Sequence, residues 1–331
     1  MSLEIASPIA DDGDCLHDAF GKALCNLASE FTNLVVLDAD SAGAGSTHHF
    51  RKSHPRRFLQ FGNAPQNMMA VAGGLAAVGL LPVVSIFAVS CLRAVGQARL
   101  SLAYAGRNAK IVASHPGLDA GPDGGAAQSL EDLAAFRAIS GMTVISPADP
   151  FEMALATRAI LEFNGPVYMR TGQGPAQHLF SDRHRFEIGK GCIVRDGSDV
   201  TIISCGVEVA RALEAAQILA KEQISARVVN MATIKPIDEA LLSRCANETG
   251  AFVTAEDHNI LGGLGSAVAE AVVRTIPCPI EFVGVKDVFG ASGECEELAQ
   301  LHGLTAPHIA LAAKRAIERK PQLVARRGRL K

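Results

Sequence analysis

The run Phe61–Gly79, FGNAPQNMMAVAGGLAAVG, carries no charged residue and constrains this chain more than any other stretch. It reads as a sharp entry into a helix. Asn63 is placed to cap, Pro65 suits a first turn where its missing N–H costs nothing, and Met68, Met69, Val71, Leu75 and Val78 continue apolar. Ala70, Ala72, Gly73, Gly74, Ala76 and Ala77 let another backbone approach closely. A helix apolar on every side is buried. Two structures satisfy that: a central core helix, or a helix pressed against a second subunit. Its first turn is where an anionic ligand or a catalytic group would be presented.

The rest of the composition sets the frame for that helix. A length of 331 residues predicts about two domains, and 48% apolar with 20% charged residues supports large cores. A net charge of −3 gives no basic footprint for nucleic acid. No apolar run suits a membrane span, and the first residues lack the pattern of a secretory signal, so a cytoplasmic protein is expected. The eight cysteines form no C-x-x-C pair and most sit among apolar residues, which reads as buried free thiols.

Along the chain, apolar strands alternate with helices. Residues 1–12 read as a loose arm. A helix over Asp14–Glu30 is followed by strands at Leu34–Asp38, Leu81–Ala88, Lys110–Ser114, Met142–Ser146 and Pro166–Arg170, with helices up to Tyr104, from Ser129 and over Pro150–Glu162. Ala39–Pro55 reads as a loop. So does His115–Gln128, with its glycines and prolines. Ser129-Leu-Glu-Asp132 has the pattern of a capping box. Residues 171–198 read as a linker, and a second alternating unit runs from Asp199 to Ile280–Val285. The tail from Glu318 ends in a solvated basic segment. The fold class expected is α/β with two doubly wound domains, at 12–185 and 190–318, each on a mainly parallel sheet.

Ligands of such sheets bind beyond the carboxyl ends of the strands. Asp38, Asp40, Phe87, His115 and Arg170 stand at those ends. Acid, imidazole and guanidinium together suit a polar, phosphorylated molecule. His48, His49 and His54 have no metal-site spacing, so no metal ligand is expected from this chain. Glu256, Asp257 and His258 end a strand of the second unit, where packing explains them.

Gly62-Asn-Ala-Pro-Gln-Asn-Met68 resembles the G-I-A-E-Q-N-M segment of the transketolase family's pyrimidine-binding domain. The resemblance extends from about His17 to Ile317. It includes Leu37-Asp-Ala-Asp40, Ser85-Ile-Phe-Ala-Val89, Gly121-Pro-Asp-Gly124, Gln128-Ser-Leu-Glu-Asp132, Ser146-Pro-Ala-Asp149, Ile234-Lys-Pro236 and Gly262-Gly-Leu-Gly265. It implies a thiamin-diphosphate-binding fold of the pyrimidine type followed by a transketolase C-terminal-like domain, as in the second subunit of split transketolases. The G-D-G motif that brings Mg²⁺ in this family has no match here. The resemblance therefore implies thiamine diphosphate held on its pyrimidine side by this chain, with Mg²⁺ and the diphosphate held by an N-terminal-type partner subunit in an α2β2 complex.

Position by position, the resemblance makes Asp40, Pro65, Phe87, Ser90 and Arg93 cofactor-side residues. It makes His115, Asp123 and Arg170 substrate contacts, with His115 also the candidate catalytic group and Arg170 the ligand of a sugar phosphate. A strand-end arginine paired to a carboxylate is the other reading of Arg170. Pro65 replaces the activating glutamate, Ala127 a second substrate histidine, and Ser90 and Arg93 the aromatics that finish the pocket. Loss of a positioned acid costs about 10²–10⁴-fold. An atypical ketol transferase or carboligase subunit acting on sugar phosphates is the leading expectation. A catalytically impaired regulatory subunit is the alternative, and an unrelated small-molecule binder the third.

Overall fold

The computed structural model describes residues 15–39, 47–174 and 176–320. Asp40, the arm at 1–12 and the basic tail from Arg326 lie outside the described residues. In chain order the first part comprises α1 (Leu16–Leu27), β1 (Leu34–Asp38), α2 (Thr47–Ser53), β2 (Phe58–Gln60), α3 (Pro65–Ala77), β3 (Leu81–Phe87), α4 (Ala88–Leu92), the single turn α5 (Val95–Gln97) and a π-helical turn over Ala98–Tyr104. It continues with β4 (Lys110–Ser114), a 3₁₀ segment over Leu118–Asp123, α6 (Asp132–Ala138), β5 (Thr143–Ile145), α7 (Pro150–Glu162) and β6 (Val167–Thr171). The second part holds β7 (Cys192–Arg195), β8 (Val200–Ser204), α8 (Glu208–Lys221), β9 (Ala226–Asn230), β10 (Thr233–Lys235), α9 (Glu239–Thr249), β11 (Phe252–Asn259), α10 (Leu264–Arg274), β12 (Ile280–Val285), α11 (Cys295–His302) and α12 (Ala306–Glu318).

Two mostly parallel sheets result. The first has strand order β10-β5-β6-β4-β3-β1-β2 and the second β12-β11-β8-β9-β7. β3, β4, β6 and β8 are buried along nearly their whole length, as continuous apolar strands with both faces covered must be. α1 shows how the helices join them: Leu16, Phe20, Leu24 and Leu27 fall on one face and are all buried.

The two sheets are not separate bodies. β10 comes from the second part of the chain yet closes the edge of the first sheet, antiparallel to β5. Ser146 N donates to Ala232 O (2.7 Å) and Gly206 N to Ser146 O (3.0 Å). Lys235 Nζ donates to the terminal carbonyls of α6, Arg137 O at 2.8 Å and Ile139 O at 2.6 Å. Buried Glu152 accepts from Asn230 Nδ2 at 2.7 Å and pairs with His184 Nε2 at 3.0 Å.

Several local expectations are corrected. Part of the expected loop Ala39–Pro55 is α2, held by buried Phe50 and by Thr47 Oγ1, which donates to Asp38 Oδ2 at 2.9 Å. Asn63 does not cap α3: Ala64 occupies the cap position, and Asn63 Oδ1 accepts from Arg93 Nη1 instead (2.9 Å). The capping box at Ser129 does not form either; α6 starts at Asp132, whose carboxylate faces Arg170. The loop after His115 contains 3₁₀ turns, broken at Gly121. Within the single chain α3 is buried on one face only. Met68, Met69, Ala72 and Gly73 pack inward, while Asn67, Ala70, Gly74 and Ala77 face outward. All eight cysteines are unpaired, with Cys25, Cys192, Cys278 and Cys295 half-buried rather than buried.

Candidate active site

The carboxyl ends of β3, β4 and β6 form one row, because Phe87 registers with Ser114 and Ser114 with Thr171. Residues in register on adjacent parallel strands point to the same face. The ring of the half-buried Phe87 meets His115, with centroids 4.6 Å apart at 78°. His17, at the start of α1, lies edge-on to His115 with centroids 6.2 Å apart. Ser114 Oγ, Thr171 Oγ1 and His115 Nδ1 are buried polar atoms with no partner among the described residues. Three such atoms on adjacent strand ends are where a bound polar molecule or ordered water is needed.

His115 has φ +54°, a left-handed conformation unfavourable for any side chain without a local hydrogen bond. The residues after it explain how it is held. Gly117 N donates to Ser129 O at 2.8 Å, and Asp119 accepts from Gln173 N (2.7 Å) and Gly174 N (2.8 Å). Burial pushes the His115 imidazole below its ordinary pKa, while the nearby charges of Asp119 and Asp123 work to raise it. Burial thus favours the neutral form of the imidazole. Asp123 itself is exposed, at the end of the 3₁₀ segment.

A second group of expected residues gathers at the entry to α3. Pro65 is buried at its first position, and Arg93, exposed just past α4, reaches Asn63, two residues before Pro65. Ser90 lies half-buried within α4. At the neighbouring strand end, Asp38 turns inward and accepts from Thr47 Oγ1 and Gln60 Nε2.

Arg170 departs from the expected phosphate ligand and takes the paired form. It is 5% exposed, and Nε donates to Asp132 Oδ2 (2.8 Å), Nη2 to Asp132 Oδ1, and Nη1 to Asp257 O (2.8 Å). All three guanidinium nitrogens are thus engaged. Burial works to raise the Asp132 pKa, but the guanidinium outweighs it and holds the carboxyl low. Tyr168 OH donates to the same carboxylate. Behind the loop, Asp119, Ser146, Arg170, Cys205 and Asp257 line a cleft of about 30 Å³, room for a water molecule.

These residues fit the pyrimidine side of a thiamine cofactor in part. An aromatic ring with an open portion, unsatisfied polar atoms beside it and a helix entry next to it suit a flat heteroaromatic ligand. No acid stands at Pro65, and among the described residues no group of three or more His, Cys, Asp or Glu is disposed to hold a metal ion.

Family-wide sequence profiles match the chain over nearly its whole described length: the transketolase pyrimidine binding domain over residues 16–176 and the transketolase C-terminal domain over 189–309. The chain belongs to the transketolase family. Among its curated relatives, a 6-deoxy-6-sulfo-D-fructose transketolase subunit of a Clostridium species is 43% identical over 92% of this chain and 95% of that one. A putative transketolase C-terminal section of Methanocaldococcus jannaschii is 42% identical over the same shares. A solved structure described as a split gene transketolase, inactive beta4 tetramer, superposes with a TM-score of 0.86 at 43% identity, covering 93% of this chain and 99% of that one. The chain therefore corresponds to the second half of a transketolase, and the two mostly parallel α/β domains are those of that family. Thiamine diphosphate is the cofactor that membership implies.

His17, Asn63, Asp119, Asp132 and Asp257 touch the residues expected at the candidate site or the loop that carries them, and were not themselves expected there. Asp132 stood in a recognised motif, and Asp257 ended a strand of the second unit. Their partners lie far away in the chain, so neither signal could be read locally.

Proposed function

We propose that this chain is the pyrimidine-side subunit of an atypical thiamine-diphosphate-dependent ketol transferase acting on anionic sugars, sugar phosphates among them. The reading rests on the Phe87–His115 pair with its unsatisfied polar neighbours, beside the charge-free outer face of α3. That face is best satisfied by a covering subunit, and a partner chain supplies what this one lacks: the grip on the diphosphate and on Mg²⁺. An α2β2 complex in the cytoplasm is the assembly proposed.

When bound, thiamine diphosphate supplies an electron sink for breaking and making a carbon–carbon bond beside a carbonyl. Phe87 packs against the aminopyrimidine ring and orients it, with Ser90 at the edge. Neutral His115 donates or accepts a hydrogen bond at a substrate hydroxyl, and Asp123 approaches from the solvent side. With Arg170 engaged at Asp132, the exposed Arg93 is a cation that can meet an anionic substrate, at the cost of its bond to Asn63. Asp40 stays a cofactor-side candidate on the resemblance alone.

Pro65 favours a second reading, an impaired regulatory subunit, because it offers neither acid nor donor at the position where this family activates its cofactor. One experiment separates the two. The chain is purified with the partner that carries the G-D-G motif, and conversion of a ketose phosphate and an aldehyde acceptor is followed with thiamine diphosphate and Mg²⁺. Turnover supports the transferase. Bound cofactor without turnover across a panel of anionic donors supports the regulatory subunit.

A further inference from the structure

We propose that Asp257, in the second domain, is a positioning residue for the loop that carries His115. This rests on the reading of His115 as a substrate contact. Leu118 N donates to both Asp257 oxygens, at 3.0 and 3.1 Å, across the domain boundary. The preceding residue, Gly117, has φ +62°, and a Cβ there would lie 2.1 Å from Asp257 Oδ2. The loop is thus seated directly on the carboxylate, and glycine is required both for the backbone conformation and for the space.

The anchor is itself immobile. Asp257 O accepts from Arg170 Nη1 at 2.8 Å, and Arg170 is fixed by Asp132, so the carboxylate hangs from a buried ion pair. On the other side of Gly117 lie Pro116 and His115. A left-handed, non-glycine backbone is strained and persists only where its surroundings over-determine it. Gly117 N to Ser129 O fixes one side of the loop, and Leu118 N to Asp257 fixes its exit. Without the second constraint, His115 can relax towards ordinary backbone angles and carry its imidazole away from Phe87. In this arrangement the second domain, which contributes no group to the Phe87–His115 row, sets the geometry of that row.

The test uses the full chain with its partner and the chain alone. Removing a hydrogen bond to a charged group is worth about a tenfold change or more. Asp257→Ala is therefore expected to raise KM for the ketose donor about tenfold or more, with a smaller effect on kcat. In the chain alone, hydrogen exchange at the Leu118 amide should speed up about tenfold or more while the strand amides of β4 and β11 stay protected. Asp257→Asn keeps one acceptor oxygen and should recover most of both effects. Gly117→Ala, which drives a methyl group into the carboxylate, should raise KM as Asp257→Ala does. Added to Asp257→Ala it should cost less than it does alone, since the two residues share one space. Unchanged exchange at Leu118 in a folded Asp257→Ala chain overturns the proposal, as does an unchanged KM. If Asp257→Ala does not fold, an unchanged KM and unchanged Leu118 exchange in a folded Gly117→Ala chain overturn it. Should the wild-type pair turn nothing over, the functional reading fails, and exchange at Leu118 alone then decides for or against the anchor.

Discussion

The ring of Phe87 and the imidazole of His115 stand nearly perpendicular, with centroids 4.6 Å apart. That edge-to-face contact joins the end of β3 to the first residue past β4, and pairs of this kind contribute about 0.5–1.5 kcal/mol beyond their burial. It leaves part of the Phe87 ring open to a ligand. The chain has no tryptophan, so Phe87→Trp places a single indole reporter at this point. In the assembled pair its emission should be quenched on addition of thiamine diphosphate, whereas Phe87→Ala should weaken cofactor binding about three- to tenfold. An indole signal indifferent to saturating cofactor would remove Phe87 from the site.

His115 makes the pH dependence predictable in sign. Burial lowers its pKa from 6.5, so the folded chain binds fewer protons there than the unfolded chain. Between the lowered value and 6.5 stability should therefore rise with pH, and activity that needs the neutral ring should fall only at a pH below 6.5. Asp123 works to raise the pKa. Asp123→Asn should move the acid limb of kcat/KM to still lower pH, a shift to be read from the pH–rate profile.

Two adjacent glycines in α3 should answer differently. A Cβ on Gly73 would lie 2.6 Å from Ser101 O in the π-helical turn, whereas one on Gly74 would meet nothing within 4 Å. Gly73→Ala should cost about 1–3 kcal/mol by overpacking. Gly74→Ala should stabilise the isolated chain by up to about 1 kcal/mol through helix propensity. If the outward face of α3 packs closely against another subunit, Gly74→Ala should weaken assembly even as it raises the melting temperature. Thermal unfolding and sedimentation of the same samples separate the two effects.

Buried Asp132 carries the heaviest electrostatic role. Asp132→Ala strands the Arg170 guanidinium in a nearly dry site and removes the acceptor of Tyr168 OH, a loss of about 3–5 kcal/mol on urea unfolding. Because Arg170 holds the Asp132 pKa below 3.8 in the folded chain, the pair's contribution is present above that value. It is lost as pH falls through the lowered folded value, so acid unfolding should move to higher pH once Arg170 is changed.

The sequence makes the frame legible wherever one element explains its own residues. Leu34–Asp38 and Lys110–Ser114 read as strands with the bounds they have, because buried parallel strands are mostly apolar runs. α2 was hidden because only Thr47 and Phe50 point inward, too few to show a helical period. β10 was hidden because three residues from the second part of the chain become a strand only by pairing with β5. The site divides in the same way. Phe87 and His115 are visible as strand ends. The commitment of Arg170 to Asp132, 38 residues away, and the seat of Leu118 on Asp257, 139 residues away, are tertiary facts that no local pattern encodes.

Pro65 offers the sharpest intervention. It is buried at the first position of α3, where its fixed φ suits the helix start and where an acid would sit favourably at the positive end of the helix dipole. A glutamate there is compatible with the backbone, and burial should raise its pKa and keep it partly protonated, the form that donates a hydrogen bond. With the partner and cofactor present, Pro65→Glu should raise turnover about 10²-fold or more, since that is the range a positioned acid contributes. Pro65→Gln places a side chain of similar reach with no acid and should gain only a small fraction of this. Equal rates for the two variants would show that the departures at Ser90, Arg93 and Ala127, rather than the missing carboxyl group, limit the reaction.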